Sequence, residues 1–423
     1  MFMLYDLINL VFIAAYLPVF LLKKKMHPGF ERRLGRYPKD IVFSDPVWIH
    51  AVSVGEMINM RRLFAGLTAL SPDTQFVLST VTPTGNTIAS GIARKNDVVT
   101  YLPLDISGVV RRVLDRINPR LFIIAETEFW PNLLSCLYRR RVPVIIVNGR
   151  ISDRSIAGYV RFRRLLAPLL RTVSLWCMQT QADADRVIRL GARPESVKVT
   201  GNMKFDQRAG ISRSHHEQGA SLLGLQPHEK LLVAGSTHPG EEDQVMAAFA
   251  KINLLYPFVR LLIAPRHPQR AGELESCIRR YGFEPVRVSK IKTSSAPKRC
   301  VFILDTIGEL LAYYAPADMV FVGGSLIKHG GQNFLEPAFL GKPVMVGPYL
   351  FNFRDIAAQF LDRRAVVLVH NSDEMVRAVK TLLTDVQEVQ GLVQRAQGLI
   401  QQNVGATERN LAYIKEFMRT GKT

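Results

Sequence analysis

The chain has 423 residues, of which 48% are hydrophobic and 22% are charged. This length predicts two domains, and this composition excludes a mostly disordered chain. The 55 Lys and Arg residues exceed the 36 Asp and Glu residues, and the net charge of +19 indicates an acidic partner such as nucleic acid, anionic lipid or a phosphorylated substrate.

The N-terminal segment, residues 1–22, is almost entirely apolar and is interrupted only by Asp6, Asn9 and Pro18. As a helix it would measure about 33 Å, which is close to the thickness of a bilayer core. Three lysines follow at 23–25, and the positive-inside rule places them in the cytoplasm. We therefore expect a membrane anchor, spanning the bilayer or lying in its interface, with the body on the cytoplasmic side; a buried soluble helix is the alternative.

The basic excess is concentrated in the first half of the chain. Residues 1–205 hold 29 Lys and Arg against 15 Asp and Glu, a net charge of +14, whereas residues 206–423 carry +5. Since no helix-turn-helix, zinc-finger or aromatic RNA-binding signature is present, anionic lipid is the better partner and no nucleic acid is expected. The four cysteines are widely scattered without a CxxC pair, which argues against a disulfide scaffold and a structural zinc site.

Short apolar runs alternate with helical stretches in both halves, which predicts parallel sheets covered by helices. The predicted strands are 47–53, 75–81, 98–102, 121–125, 144–148, 175–179 and 197–200, then 231–235, 260–264, 301–304, 319–322, 344–346 and 365–369. We predict two Rossmann-like domains facing a cleft. The predicted segments are the anchor at 1–22, a first domain at 23–206, a linker at 207–226, a second domain at 227–400, and a C-terminal helix at 401–423 that crosses back to the first domain.

Polar motifs follow several of these strands, where ligands of parallel sheets bind. The first is HAVSVGE at 50–56, in which Glu56 is predicted near a helix N-terminus. A carboxylate at the mouth of a cleft can act as a general base, although a capping glutamate explains the same pattern. The second is ETEFWPN at 126–132, where Glu126 and Glu128 come directly after an apolar strand; capping of the next helix is the alternative.

The third motif is GNMKFD at 201–206, where Lys204 could meet negative charge on a leaving phosphate or simply be a solvated linker lysine. In the second half, AGSTHPGEE at 234–242 and PRHP at 265–268 both follow strands, and Arg266 offers a fork for phosphate. His267 taken alone is more typical of a structural histidine.

The last motif begins with two glycine pairs, at 323–324 and 330–331, which allow close backbone approach to an anion. Asn333 and Glu336 follow, three residues apart, and such a pair can bind the two hydroxyls of a ribose. The pattern is neither GxGxxG nor GxxxxGK[ST], so dehydrogenase and P-loop functions lose their main support.

The combined motifs resemble the 3-deoxy-D-manno-octulosonic acid (Kdo) transferases of lipopolysaccharide synthesis, inverting glycosyltransferases with the two-domain GT-B fold. The resemblance rests on the anchor and on seven ordered motifs: HAVSVGE, ETEFWPN, NGRISDRS at 148–155, GNMKFD, AGSTHPGEE, PRHP, and GGS with GGQNFLEPA at 323–338.

This resemblance implies transfer of Kdo from CMP-Kdo to the 6′-hydroxyl of the lipid A precursor lipid IVA. It implies that Glu56 is the base and that Glu126 and Lys204 support the transition state. The CMP contacts that it implies are Arg266, His267, Ile307, Gly308, Glu309, Asn333, Phe334, Leu335 and Glu336. No metal or other cofactor is expected, since cationic side chains and helix N-termini take the phosphate charge.

A further hypothesis is that backbone N–H groups help to hold the anions of the donor; these groups lie near Gly324, Ser325, Gly330 and Gly331. Three alternatives remain: a GT-B enzyme that uses a UDP-sugar, a non-catalytic membrane tether with a degenerate transferase fold, and a basic nucleic-acid binder. The carboxylates Glu56 and Glu126 and the amine of Lys204 argue against the tether.

Overall fold

A computed structural model describes residues 5–7, 11, 29–206, 223–291 and 299–420. The anchor predicted at 1–22 and the linker predicted at 207–226 therefore lie mostly outside the described residues. Within the described ranges, no helix combines the length and the apolar character needed to cross a membrane.

The chain divides into two compact units. The first unit combines Met1–Gln207 with Asn403–Thr423, and the second is Arg208–Gln402. The chain therefore leaves the first unit once and returns to it at the C-terminus.

The sheet of the first unit has seven strands, and all of its pairings are parallel. The strands are β1 (Val47–His50), β2 (Phe76–Thr80), β3 (Val98–Tyr101), β4 (Leu121–Ala125), β5 (Val144–Gly149), β6 (Leu175–Met178) and β7 (Val197–Val199). Their order is β3-β2-β1-β4-β5-β6-β7. Connections from β1 run one way and connections from β4 run the other, so the topological switch point lies between these two strands, where doubly wound sheets bind ligands.

Helices cover both faces of this sheet. They are α1 (Phe30–Arg33), α2 (Val54–Leu70), α3 (Pro83–Ile92), α4 (Ser107–Ile117), α5 (Pro131–Arg139), α6 (Asp153–Arg161), α7 (Arg163–Leu170) and α8 (Gln181–Leu190), with short 3-10 turns at Pro194–Ser196 and Met203–Asp206. Polar N-caps start several of them: Ser53 caps α2, Thr82 caps α3 and Thr180 caps α8 through their hydroxyls.

The second unit repeats this architecture with another seven-stranded parallel sheet. Its strands are β8 (Lys230–Thr237), β9 (Val259–Pro265), β10 (Glu284–Arg287), β11 (Cys300–Ile303), β12 (Met319–Val322), β13 (Val344–Val346) and β14 (Val367–Leu368). The order is β10-β11-β9-β8-β12-β13-β14, which places the switch point between β8 and β12.

The second unit and the returning chain supply the remaining helices. They are α9 (Glu242–Leu255), α10 (Ala271–Arg280), α11 (Leu310–Tyr314), α12 (Leu335–Phe339), α13 (Arg354–Asp362), α14 (Ser372–Thr384), α15 (Val386–Asn403) and α16 (Ala406–Thr420), with 3-10 turns at Pro268–Arg270, Val288–Lys290 and Phe351–Phe353.

Helix α16 completes the first unit. Asp206 accepts hydrogen bonds from the backbone N–H groups of Gly405 and Thr407, at 2.6 and 2.5 Å, and so caps the start of this helix. Along α16, Ile414 is fully buried in the same core cluster as Val47 of β1. The C-terminal helix is therefore part of the hydrophobic core of the first unit.

The predicted class of two Rossmann-like domains is confirmed. All thirteen predicted strands occur within three residues of their predicted ends. The strand that was not predicted, β10, is short and more exposed than its neighbours, and it lies at the edge of the second sheet. Its sequence, EPVR, carries charges and a proline, which is tolerated at an edge but gives no apolar strand pattern.

Candidate active site

The candidate site in the first unit begins with Glu56, which lies in the first turn of α2, directly after β1. The Ser53 hydroxyl accepts from the backbone N–H of Glu56 and donates to its carboxylate, at 3.3 and 2.9 Å. The backbone N–H of Val52 donates to the other carboxylate oxygen at 2.8 Å. Glu56 is thus a capping glutamate, but its position at the switch point and its half-buried side chain leave it fit for a second role.

Glu126 comes directly after β4, on the other side of the switch point. Its backbone φ is 58°, in the left-handed region that non-glycine residues rarely adopt. The turn is held because the Glu126 N–H donates to the carbonyl of Val147 at 2.8 Å. A strained backbone of this kind is typical of functional sites, where the surrounding structure maintains it.

The loop that follows Glu126 is fixed by contacts with the body of the first unit. The Thr127 hydroxyl accepts from the Arg150 N–H at 2.9 Å. The ring of Phe129 lies edge-on to that of Trp176, and the ring of Trp130 lies edge-on to that of His50. We call residues 126–130 the acidic loop, since they carry Glu126 and Glu128.

The carboxylates at this switch point interact electrostatically. Burial, followed by the negative charges of Glu126 and Glu128, raises the pKa of Glu56 from 4.5 to about 7. Burial and the charge of Glu126 also raise the pKa of Glu128. Desolvated like charges stabilise the neutral acid, so Glu56 is tuned to exchange a proton near neutral pH.

Lys204 lies in the 3-10 turn after β7, and a polar network ties this turn to the ends of β5 and β6. The backbone N–H of Met203 donates to the Asn148 side chain at 2.9 Å, and the Asn202 amide donates to Gln179 at 2.7 Å. Gln179 in turn donates to the Asn148 carbonyl at 2.9 Å. Lys204 is therefore held at the same carboxyl edge of the sheet as Glu56 and Glu126. It follows β7, whereas the two glutamates follow β1 and β4.

In the second unit, a glycine-rich loop lies at the switch point between β8 and β12. Gly324 adopts a φ of 67°, and the buried Glu241 accepts hydrogen bonds from the N–H groups of Gly324 and His238, at 2.5 and 2.8 Å. Gly323 approaches Ser236 so closely that a Cβ there would lie 2.5 Å from its carbonyl oxygen. Ser236, like Glu126, has a left-handed φ, of 57°.

These contacts correct part of the anion hypothesis. The Gly324 N–H is bonded to Glu241, and the Gly331 N–H donates to the Gly324 carbonyl at 2.8 Å. The prediction that these two groups hold the donor's anions is therefore wrong, because a carboxylate and a carbonyl of the protein already occupy them. For Ser325 and Gly330 it stays a prediction.

The nine predicted nucleotide contacts lie after β9, β11 and β12, on the loops that follow these strands and at the start of α12. Arg266 is exposed and lies near Glu336, whose pKa is raised by burial and lowered in part by the charge of Arg266. The Asn333 amide donates to the Glu336 carboxylate at 2.9 Å, although Asn333 lies just before α12 and only Glu336 lies on it. Ile307 is 80% exposed, and Gly308 next to it has a φ of 90°.

Phe334 and Leu335 are fully buried. The ring of Phe334 contacts those of Phe353 and Phe360, with centroids 5.5 and 5.2 Å apart. These two residues therefore shape the loop, and their side chains are unavailable to a nucleotide.

Three histidines converge beside the glycine-rich loop. The rings of His238 and His329 are 3.9 Å apart and those of His238 and His267 are 6.2 Å apart. Burial, together with the positive charge of its neighbours, lowers the pKa of His238 to about 4. Among the described residues, however, no group of three or more His, Cys, Asp and Glu side chains could hold a metal ion.

Comparison with known proteins identifies the family. A family model described as 3-deoxy-D-manno-octulosonic-acid transferase (kdotransferase) matches residues 28–207. The 3-deoxy-D-manno-octulosonic acid transferase of Haemophilus influenzae is 33% identical over 340 residues, which cover 80% of this chain and 79% of that protein. The chain belongs to the Kdo transferase family.

Two further matches complete the comparison. A bifunctional glycosyltransferase/methyltransferase of Fusobacterium nucleatum is 31% identical over 386 residues, or 90% of this chain, and the match spans 59% of that longer protein. A putative UDP-N-acetylglucosamine 2-epimerase of Listeria monocytogenes, a solved structure, matches with a TM-score of 0.60 at 14% identity, covering 90% of this chain and 98% of the other. The second match concerns the fold alone and agrees with the predicted GT-B class.

In this member of the Kdo transferase family, the structure brings Glu56 and Glu126 together and holds Lys204 on the same edge. No role was predicted for Glu241 from the sequence, although the pair of acids at 241–242, shortly after the end of β8, could have indicated one. His238 and His329 are distant in sequence, and neither stood out alone. Contact between them depends on the order of β8 and β12 in the sheet.

Proposed function

We propose that this protein is an inverting glycosyltransferase that transfers Kdo from CMP-Kdo to the 6′-hydroxyl of lipid IVA in lipopolysaccharide synthesis. Membership of the Kdo transferase family supports the transferred sugar. The observation that carries the proposal is Glu56, a half-buried carboxylate at the switch point whose pKa is raised to about 7.

In the proposed reaction, the ionised Glu56 accepts the proton of the 6′-hydroxyl as its oxygen attacks the anomeric carbon of Kdo. The new carbon–oxygen bond forms on the face opposite the phosphate, so the configuration is inverted. The bond to the phosphate breaks, and CMP leaves with the electron pair. Glu126 and Lys204 are proposed to support the charge that develops, Lys204 by offsetting negative charge on the leaving group.

The donor is proposed to bind the second unit through Arg266, His267, Ile307, Gly308, Glu309, Asn333, Phe334, Leu335 and Glu336. The hydrogen-bonded pair of Asn333 and Glu336 suits the two ribose hydroxyls, and the exposed Arg266 suits the phosphate. Phe334 and Leu335, which are buried, would shape the chain that carries Asn333 and Glu336. Cationic side chains rather than a metal ion are proposed to balance the phosphate.

We also propose that the protein works at the cytoplasmic face of the inner membrane, with anionic lipid as a partner. The first unit exposes large apolar side chains on neighbouring helices: Tyr138 is 60% exposed, Phe162 57% and Leu165 54%. They alternate with basic residues at 139–141 and 161–164. This mixture of apolar and basic groups suits a membrane interface.

The test uses the purified full chain with a CMP-Kdo-generating system and lipid IVA in detergent, read by mass spectrometry. A mass gain of one or more Kdo residues is expected, and its absence with working lipid and detergent controls would refute the transfer. CMP should inhibit the reaction and UDP should not. Inhibition by UDP alone would favour the rival reading, a transferase that uses a UDP-sugar.

A further inference from the structure

Asp6, in the predicted anchor segment, is hydrogen-bonded to the body of the first unit. Its carboxylate accepts from the Ser107 backbone N–H at 3.1 Å, from the Asn132 amide at 2.7 Å, and from the Ser107 hydroxyl through a short contact. Next to it, the Tyr5 hydroxyl donates to the carboxylate of Asp105. Two adjacent residues of the N-terminal segment thus contact one place in the fold.

That place is the start of two helices whose own N-cap residues cannot cap them. Helix α4 has Ile106 at its N-cap, which has no polar side-chain atom, and α5 has Trp130, whose indole nitrogen is only a donor. Distant carboxylates supply both caps. Asp6 accepts from the first N–H of α4, and Asp105 accepts from the N–H groups at 132 and 133 of α5, at 3.1 and 2.9 Å.

Asn132 joins the two caps. Its side-chain amide donates to Asp6 at 2.7 Å and to the Asp105 carbonyl at 2.6 Å, and its side chain is buried. Because α5 begins at Pro131, this contact fixes the C-terminal end of the acidic loop, 126–130. The opposite end is fixed by the hydrogen bond between Glu126 and Val147.

We propose that Asp6 is a positioning residue, and that docking of the N-terminal segment through Asp6 onto Ser107 and Asn132 sets the conformation of the acidic loop. The loss of turnover that we expect when Asp6 is replaced rests on the proposed function. Without Asp6, the buried Asn132 amide keeps only the Asp105 carbonyl as an acceptor and α4 loses its cap, so the loop is held less firmly at one end. The carboxylates of the loop are then positioned less precisely, although the hydrogen bond between Glu126 and Val147 remains.

Asp6→Ala in the full-length protein is the first variant. Deuterium exchange of peptides covering 126–134 should become faster than in the wild type. Kdo transfer to lipid IVA should fall at least about tenfold in kcat, since a lost hydrogen bond to a charged group and a misplaced catalytic loop each have effects of this size. CMP binding should stay unchanged, because the nucleotide residues belong to the second unit.

The matched control is Asp115→Ala, the same substitution on α4, which breaks an exposed ion pair with Arg140. It should change neither exchange at 126–134 nor turnover. Ser107→Ala removes only the hydroxyl contact with Asp6 and keeps those of the backbone N–H and of Asn132, so it should change both in the same direction as Asp6→Ala but by less. The double variant Asp6→Ala/Ser107→Ala should match Asp6→Ala, since that change already removes the contact of the Ser107 hydroxyl.

Exchange and turnover that match the Asp115→Ala control, in both Asp6→Ala and Ser107→Ala, would overturn the proposal. Should the wild type transfer no Kdo, the proposed function fails by itself. The exchange of 126–134 still decides on Asp6 in that case: faster exchange supports the positioning role, and unchanged exchange overturns it.

Discussion

Replacing Glu56 by glutamine separates its two roles, because glutamine keeps an acceptor for the Val52 N–H but cannot ionise. A pKa raised from 4.5 to about 7 corresponds to up to about 3 kcal/mol, with part of this screened by water around a half-buried side chain. The folded protein then holds a proton that the unfolded chain has released. The free energy of unfolding therefore falls as pH rises from about 4.5 to about 7, and Glu56→Gln removes this loss.

Two measurements follow from this. Urea unfolding at pH 8 should show Glu56→Gln to be at least as stable as the wild type. Transfer of Kdo should fall by about 10²–10⁴ in kcat, the usual effect of losing a general base. In the wild type, turnover should decrease about tenfold per pH unit below about 7, since only the ionised carboxylate accepts the proton.

Glu374 provides the control. It occupies the same position in the first turn of α14, where it accepts from the His370 N–H at 2.9 Å, but the hydrogen bonds from His370 lower its pKa instead of raising it. Glu374→Gln should leave turnover unchanged.

In addition, Glu126→Gln should move the pH dependence of turnover to lower pH, because it removes a negative charge that raises the pKa of Glu56. Near-normal turnover in Glu56→Gln would refute the role as base, and an unmoved pH midpoint in Glu126→Gln would refute the coupling.

Three other predictions concern stability and ligand choice. Asp206→Ala should lower the free energy of unfolding by about 2–4 kcal/mol, because the N–H groups of Gly405 and Thr407 lose a charged acceptor. The control Glu408→Ala breaks only an exposed ion pair, so it should change the free energy of unfolding by less than about 1 kcal/mol. Glu126→Gly should raise the melting temperature, because glycine adopts a φ of 58° without strain; the gain in free energy of unfolding should be about 1 kcal/mol. The same variant should lose most turnover, because it lacks the carboxylate. A lower melting temperature would contradict the backbone strain at this position. Calorimetric titration should show binding of CMP but no comparable binding of UDP; equal affinities would remove the basis for a cytidine donor.

The fold could be predicted largely from local patterns, because buried parallel strands such as β4 and β12 read as unbroken apolar runs. The edge strand β10 lacks such a run, since one side of it has no strand partner. The order of strands follows from no local pattern. It is this order that brings Glu56 and Glu126 to one switch point from strands that are far apart in the sequence.

The site was predicted unevenly for a physical reason. Motifs after strands predicted which polar residues lie at the carboxyl edges of the two sheets, and the short spacing of Asn333 and Glu336 is compatible with their hydrogen bond. The use of the Gly324 N–H was mispredicted, because a glycine pair shows that the backbone can turn but not which acceptor it meets. That acceptor, Glu241, lies 83 residues away in the sequence. The role of Asp6 was hidden for the same reason: an acid within an apolar run gives no indication of a distant partner.

The position of α16 has a consequence for synthesis on the ribosome. The apolar face formed by Val47 and Ile49 is translated early, but Ile414, which packs in the same cluster, is translated after the whole of the second unit. Translation of Arg208–Gln402 takes about 10–40 s at usual elongation rates. For that interval the nascent first unit has an uncovered apolar face, which makes it a substrate for chaperones. A ribosome that stalls within the second unit would leave a chain prone to aggregate, although its sheet is already complete.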